Sequence, residues 1–149
     1  MIVEKIITRT EPIEIEVEGV TLLSVEEAQA AKEWLKPMRG CWWLRSPGHY
    51  DYWTAVVNGR GNVGDIGGNV DDTYGVRPAL KIRNLESSNL EIGSKFMAKG
   101  LPWTVISGNL ALCDEIVTEM PFREDWKVED ANVYEASDVK RWLEKWWSE

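Results

Sequence analysis

Two helix-start signals, one near each end of the sequence, constrain the fold most, because the chain between them offers only short β-forming segments. The first is a capping box, Ser24-Val25-Glu26-Glu27. In this motif the serine hydroxyl accepts a hydrogen bond from the third helical N–H, and the glutamate accepts one from the backbone N–H of the serine. Apolar residues then recur at helical spacing until Pro37, which cannot continue a helix. The pattern predicts a helix over residues 24–36.

The second signal is Ser137, an N-cap residue followed by Asp138, whose negative charge is favourable in a first helical turn. The apolar residues that follow are spaced like one face of a helix. They are Val139, Trp142, Leu143, Trp146 and Trp147. The spacing predicts a helix over residues 137–147 that packs on the core.

The other apolar residues form short runs that are rich in β-forming residues and bounded by turn residues. These runs lie near residues 2–8, 13–17, 41–44, 53–57, 76–82, 95–97, 103–106 and 110–112. Residues 59–75 are rich in glycine and poor in apolar side chains, which predicts a long irregular loop. Together the patterns predict a single α+β domain over residues 1–149, with small, mostly antiparallel sheets, two flanking helices and long irregular loops.

Tryptophan dominates the aromatic residues, with nine Trp against two Phe. Successive strand side chains face opposite ways, so Trp42 and Trp43 must point to opposite faces of their strand. We expect one of this pair to be buried together with Trp103 and Trp142. Truncation of a buried Trp to Ala costs about 3–5 kcal/mol.

Arg45 and Arg77 both lie within apolar strand segments. A guanidinium in such a place must be paired, because burial of an uncompensated charge is costly. We predict that each arginine binds loop carbonyls or a carboxylate and has a structural role.

The formal charge is −8, from 25 acidic and 17 basic residues. Nucleic-acid binding through a basic face is therefore not expected, since that needs clustered Lys and Arg. Between residues 114 and 138 nine acids meet only Arg123 and Lys127. This stretch is either a solvated face or a surface that docks on a basic partner. Its candidate contact residues are Glu124, Asp125, Glu129 and Asp130.

The sequence indicates no catalytic or metal-binding constellation. There is one histidine, and Cys41 and Cys113 are the only cysteines, which we expect to be reduced, buried thiols. We therefore predict no catalytic residue, no metal and no cofactor. The first residues lack an apolar signal core and no apolar run approaches 18 residues, so we expect a cytoplasmic protein without a membrane span.

The best candidate binding site is the segment of residues 48–75, where aromatic and polar residues stand among glycines. Tyr and Trp offer a large contact area at low entropic cost, and each carries a polar group. The alternative is an ordinary loop with turn-forming Asx residues. The candidate contact residues are His49, Tyr50, Tyr52, Arg60, Asn69, Asp71, Asp72 and Tyr74.

Residues 42–48 read W-W-L-R-S-P-G and residues 75–80 read G-V-R-P-A-L. This signature resembles a family of uncharacterised domains from gut bacteria and their phages, which has a C-type-lectin-like fold. Residues 92–106 and 134–143 resemble the family's opening strands and first helix. Residues 1–82 thus resemble its C-terminal half and residues 91–149 its N-terminal half. The resemblance implies a circular permutation with residues 83–90 as the connector, or two halves that pair between chains in a swapped homodimer.

The family implies a binding scaffold, so we expect a non-enzymatic protein of phage or prophage origin that binds a protein partner, as a monomer or homodimer. One alternative is an acidic anti-defence inhibitor, similar to anti-CRISPR proteins, that blocks the nucleic-acid-binding surface of a host effector. A weaker alternative is an oxidase related to the formylglycine-generating enzymes, which share the lectin-like fold and depend on paired cysteines.

Overall fold

Two mostly antiparallel β-sheets and two α-helices form the α+β fold of the computed structural model, which describes residues 2–5, 13–83 and 90–149. The strands are β1 (Ile2–Lys5), β2 (Ile13–Glu14), β3 (Val17–Thr21), β4 (Trp42–Pro47), β5 (Trp53–Val57), β6 (Val63–Asn69), β7 (Thr73–Val76), β8 (Ala79–Ile82), β9 (Lys95–Ala98), β10 (Leu101–Val105), β11 (Leu110–Cys113) and β12 (Thr118–Pro121). The helices are α1 (Val25–Ala30) and α2 (Asp138–Ser148). Short 3₁₀ turns precede α2 at Tyr134–Ala136 and follow α1 at Lys32–Trp34.

The first sheet has seven strands in the order β2-β1-β9-β10-β11-β8-β3, and the second has five in the order β12-β7-β4-β5-β6. Neighbouring strands are antiparallel except β4 and β7, which meet in parallel at Trp42 and Gly75. The predicted antiparallel α+β class is confirmed. Among the described helices, none is both long and apolar enough to cross a bilayer.

The chain crosses from the second sheet to the first at Arg77-Pro78, so the single strand predicted over residues 76–82 is two strands. Arg77 is 4% exposed, and its Nε donates to the carbonyl of Cys113 at 2.7 Å. The Cys113 amide donates in turn to the carbonyl of Pro78 at 2.9 Å. These bonds confirm the predicted pairing of Arg77 and fix the crossing to the end of β11.

Helix α1 begins with the predicted capping box. The Ser24 hydroxyl accepts from the Glu27 amide at 3.1 Å, and Glu27 Oε1 accepts from the Ser24 amide at 2.9 Å. Arg45 Nη1 donates to the same Oε1 at 2.5 Å and to the Leu22 carbonyl at 2.6 Å, so Arg45 is also paired as predicted. The helix ends at Ala30, well before residue 36. Ala31 and Leu35 are nonetheless buried in one cluster with Ala28, so burial of these side chains sets the path of the chain beyond the helix.

Helix α2 begins at its predicted cap, where the Ser137 hydroxyl accepts from the Lys140 amide at 3.0 Å. Val139 and Leu143 are buried in the hydrophobic cluster on the face of the second sheet that lies opposite to α1. Trp142, predicted to be largely buried, is only partly so. Its ring stacks on Trp146 with 5.7 Å between ring centroids and 13° between planes, at the border of the core.

Trp42 and Trp43 are both fully buried, whereas the sequence required only one of them to be. They belong to different clusters, because both faces of the second sheet are covered. Trp43 Nε1 donates to the Met120 carbonyl at 2.8 Å. Trp103, buried as predicted, donates from Nε1 to the Ala98 carbonyl at 2.9 Å.

The prediction of a long irregular loop over residues 59–75 is wrong, because β6 and most of β7 lie there. Glycine in this segment permits close strand contact. Gly67 has a φ of +92°, and a Cβ on it would lie 2.3 Å from the Thr54 carbonyl oxygen on β5. Low apolar content here reflects a sheet edge whose backbone approaches its neighbour closely.

We expect Glu27→Gln to lower the free energy of unfolding by about 1–2 kcal/mol at neutral pH, since it removes a partly buried, charge-assisted hydrogen bond to Arg45. Burial alone would raise the pKa of Glu27, but hydrogen bonds from Arg45 and the Ser24 amide outweigh it and lower the pKa below its ordinary value. A carboxylate with a lowered pKa stabilises the fold above its unfolded-state pKa and loses that effect as pH falls through the folded-state pKa. The difference from the parent, measured by urea unfolding, should therefore shrink in acid. Glu26→Gln is the control in the same helical turn, and an equal effect of both changes would contradict the assignment.

Truncation of two tryptophans tests which of them belongs to the core and which lies at its border. We expect Trp103→Ala to cost about 3–5 kcal/mol and Trp142→Ala roughly half as much, because only Trp103 is fully enclosed. Chemical unfolding of the two variants measures this difference. Equal losses would show that the border assigned to the core at α2 is misplaced.

Candidate functional site

The loop that joins β4 to β5 presents two exposed tyrosines. Tyr50 is 49% exposed and Tyr52 is 42% exposed. The loop is held by its own backbone: the Gly48 amide donates to the Trp53 carbonyl at 2.8 Å, and the Trp53 amide donates to the Tyr50 carbonyl at 2.9 Å. The His49 amide donates to Ile66 on β6 at 2.9 Å, so the loop is also fixed to the sheet edge.

The rings of this loop contact one another. Tyr50 and Tyr52 stack with centroids 6.2 Å apart and 14° between planes. Both meet Trp53 edge-on, at 4.6 Å and 6.4 Å, and His49 meets Tyr50 edge-on at 4.9 Å. Trp53 is partly buried and anchors the two exposed rings, which are therefore presented in a set orientation.

The acidic stretch reaches the same loop. Trp126, itself 41% exposed, lies 5.9 Å from Tyr52 between ring centroids. Asn132 Nδ2 donates to the carbonyls of Tyr50 and Trp53, each at 3.2 Å. The two surfaces that the sequence left as rivals are thus neighbours. Sequence reasoning missed Trp126 and Asn132, although a lone Trp in a polar, acidic stretch was a signal for the former.

The turn between β6 and β7 completes the surface. The Val70 amide donates to the Tyr52 carbonyl, and the Arg123 amide donates to the Val70 carbonyl, both at 2.9 Å. The Asp72 amide donates to the Asn69 carbonyl at 3.0 Å and closes the turn. Backbone hydrogen bonds therefore join three segments into one patch.

We call this patch the aromatic–acidic surface, made of three exposed rings and the exposed carboxylates of residues 50–52, 71–72 and 124–130. The rings are those of Tyr50, Tyr52 and Trp126. The carboxylates are Asp51, Asp71, Asp72, Glu124, Asp125, Glu129 and Asp130.

Positive charge in these segments is already engaged. Arg123 Nη1 donates to the Ala136 carbonyl at 2.7 Å and lies 3.6 Å from Asp130 Oδ1. Lys127 Nζ stands 5.5 Å from the centre of the Trp126 ring, a cation–π contact. Since the surface carries far more carboxylates than cations, its potential is negative.

Two of the sequence-predicted contact residues lie elsewhere. Arg60 is exposed in the turn after β5, at the opposite end of that strand from Tyr52. Tyr74 is partly buried, and its ring meets Trp43 edge-on at 4.7 Å. Burial and the neighbouring Asp72 carboxylate raise the pKa of Tyr74. Its position fits packing of the sheet rather than contact with a partner.

The two thiols are free, and Cys113 is fully buried while Cys41 is partly so. Burial raises the pKa of the Cys113 thiol to about 11, so it is protonated at neutral pH. A reactive cysteine needs the opposite shift. In the part of the chain that the structure describes, no three His, Cys, Asp or Glu side chains are grouped so that they could hold a metal ion.

Residues 17–84 match the model of a domain of unknown function, DUF6273. The match runs from β3 to the end of β8 and includes the tyrosine loop and the β6–β7 turn. Trp126, Asn132 and the acidic stretch lie outside it. No curated protein and no solved structure matches the chain.

We expect Asn132→Ala to loosen the tyrosine loop, because the carbonyls of Tyr50 and Trp53 lose their shared donor. The local opening free energy should fall by about 1 kcal/mol, which native-state hydrogen exchange at the Gly48 and Trp53 amides would show as faster exchange. Strands β9 and β10 should exchange as in the parent. Asn109→Ala, in an exposed turn elsewhere, is the control, and unchanged exchange in the loop would contradict the bracing role.

Proposed function

We propose that this protein is a non-enzymatic, lectin-like binding module whose aromatic–acidic surface recognises a basic segment of a protein partner. The observation that carries the proposal is the contact of Trp126 with Tyr52, which places exposed aromatic rings among the most acidic part of the chain.

The chemistry of the surface matches a Lys- or Arg-rich ligand. Exposed Tyr and Trp rings contribute large shares of binding energy at protein interfaces. Their faces also attract cations, and Lys127 over the Trp126 ring is an internal example of that contact. The surrounding carboxylates would steer a basic partner and select its orientation. The rings would thus supply affinity and the acids specificity and rate.

The fold assignment in this proposal is a circularly permuted C-type-lectin-like domain of phage or prophage origin that acts inside the cell. One observation supports the permutation: the family match ends at residue 84, within the connector of residues 83–90.

The test is binding of an array of Lys- and Arg-rich peptides by the full chain and three variants. We expect Tyr52→Ala to weaken binding by about 1–3 kcal/mol without a change in melting temperature, since the side chain is an exposed anchor. Neutralisation of the four acids by E124Q, D125N, E129Q and D130N should also weaken binding, and most at low salt.

The matched control neutralises four exposed acids outside the surface, by E26Q, E33Q, E91Q and E119Q, and should bind as the parent does. Equal losses of binding affinity in the two neutralised variants would show that only the net charge of the protein matters. Unchanged binding in both the Tyr52 and the acidic variant would contradict the proposal.

A second candidate is the acidic anti-defence inhibitor, which is favoured by the exposure of Glu124, Asp125, Glu129 and Asp130. This function predicts that the acidic variant loses all binding to a nucleic-acid-binding host effector, while Tyr52→Ala binds as the parent does. It also predicts a steep loss of affinity with salt. A carbohydrate array with and without calcium tests the remaining lectin-type activity.

A further inference from the structure

A small cavity outside the aromatic–acidic surface has the opposite charge. It lies where the segment after α1 covers the Arg77-Pro78 crossing and the β9–β10 hairpin, and its volume is about 140 Å³. The lining includes the apolar side chains of Trp34 and Met38 and the basic side chains of Lys36, Arg77 and Lys95.

Two buried donors at this cavity lack a partner. Arg77 is 4% exposed and uses Nε on the Cys113 carbonyl, but its Nη1 has no hydrogen-bond acceptor among the described residues. The buried indole N–H of Trp34, another lining residue, also lacks one there. Buried polar groups in folded proteins are nearly always satisfied, and an unmet charged donor is the most costly. Neither nitrogen has appreciable accessible surface, and the buried indole N–H of Trp42 is likewise without an acceptor among the described residues, so the cations of the lining rather than these two donors point to a ligand.

The one carboxylate of the lining is already occupied. Asp114 accepts from Lys95 Nζ and from the Thr104 hydroxyl, each at 2.5 Å. Lys95 Nζ also lies 3.0 Å from the Thr104 hydroxyl. Three cations thus face one carboxylate in a chain whose formal charge is −8, a local reversal that surface composition does not explain.

Arg77 remains a cation in this setting. Burial lowers the pKa of Arg77, and the nearby Asp114 carboxylate offsets part of that effect. An arginine pKa starts so high that the guanidinium stays protonated at any physiological pH. The Arg77 guanidinium carbon lies 5.0 Å from the centre of the Trp42 ring, and this contact holds the guanidinium in position.

We propose that this cavity binds a small organic carboxylate, with its charged group against the cationic lining of Lys36, Arg77 and Lys95 and a compact apolar body against Trp34 and Met38. The size fits such a ligand, since a protein cavity of about 150 Å³ accommodates a benzene ring. The ligand class follows from the lining: its three cations attract an anion, and the apolar walls favour a ligand with more than a bare anionic group. The site is independent of the proposed protein-binding function.

The experiment uses the full chain with benzoate as the probe, benzamide as its uncharged counterpart and inorganic phosphate as an anion without an apolar body. Binding is followed by calorimetry and by the indole N–H resonances in two-dimensional NMR, where Trp34→Phe identifies the Trp34 signal. We expect benzoate to bind saturably and shift the Trp34 signal, and benzamide and phosphate to bind at least tenfold more weakly. Equal binding of benzoate and benzamide, or stronger binding of phosphate, would overturn the ligand class, and no saturable binding of any probe would overturn the site.

Variants locate the binding. Arg77→Gln should abolish benzoate binding, but this change could also disturb the fold, because Arg77 holds the sheet crossing. Lys95→Gln and Lys36→Gln therefore provide the test. Circular dichroism checks that these two variants keep the fold of the parent. Lys95→Gln should weaken benzoate binding at least tenfold. Lys36→Gln should weaken it at least threefold, because Lys36 is exposed. Lys145→Gln is the matched control on the exposed side of α2 and should bind as the parent does. An equal loss in Lys145→Gln, or none in Lys95→Gln, would place the anion elsewhere.

Discussion

The rest of the structure depends on the burial of two adjacent indoles on opposite faces of one strand. Trp42 packs with the α1 cluster, and Trp43 packs with the α2 cluster. A strand that buries large side chains on both faces must lie in the middle of the protein, because each face requires its own cover. Helix α1 and the first sheet supply one cover, and the segment from β12 to α2 supplies the other.

This constraint also positions both sites. Trp43 holds the start of the acidic segment through its hydrogen bond to Met120 and its ring contact with Phe122. Trp126 and Asn132 follow a few residues later in the same segment. Trp42 lies beneath the Arg77 guanidinium, at the crossing between the sheets. The aromatic–acidic surface and the cationic cavity are therefore consequences of which face each indole covers.

Electrostatics divides the molecule into two kinds of site. The carboxylates of the aromatic–acidic surface are exposed, so their field acts in water and is screened by salt, and in the proposed function it would affect the rate of encounter with a partner and the partner's orientation. The cations of the cavity include the Arg77 guanidinium, which is almost wholly enclosed, so that screening by salt is weak and a donor without an acceptor is costly. A net charge of −8 describes neither site.

The match to a domain of unknown function covers only part of this arrangement. Residues 17–84 include the tyrosine loop and Arg77, whereas Trp126, Asn132 and Lys95 come from the remainder of the chain. Each site thus combines matched and unmatched residues. What the matched segment binds in other proteins need not be what this chain binds, because its partners in the surface come from elsewhere.

The sequence by itself determined the features that depend on near neighbours. The capping box at Ser24, the cap at Ser137 and most strands follow from contacts within a few residues, and the pairing of Arg45 and Arg77 follows from the cost of a bare buried charge. Only the tertiary structure decided that β6 and most of β7 lie within residues 59–75, since glycine content signals a loop unless another strand lies close enough to require it. The tertiary structure alone also decided that Asn132 braces a loop about 80 positions away. No local sequence pattern shows which distant carbonyls a side chain will meet once both faces of a sheet are covered.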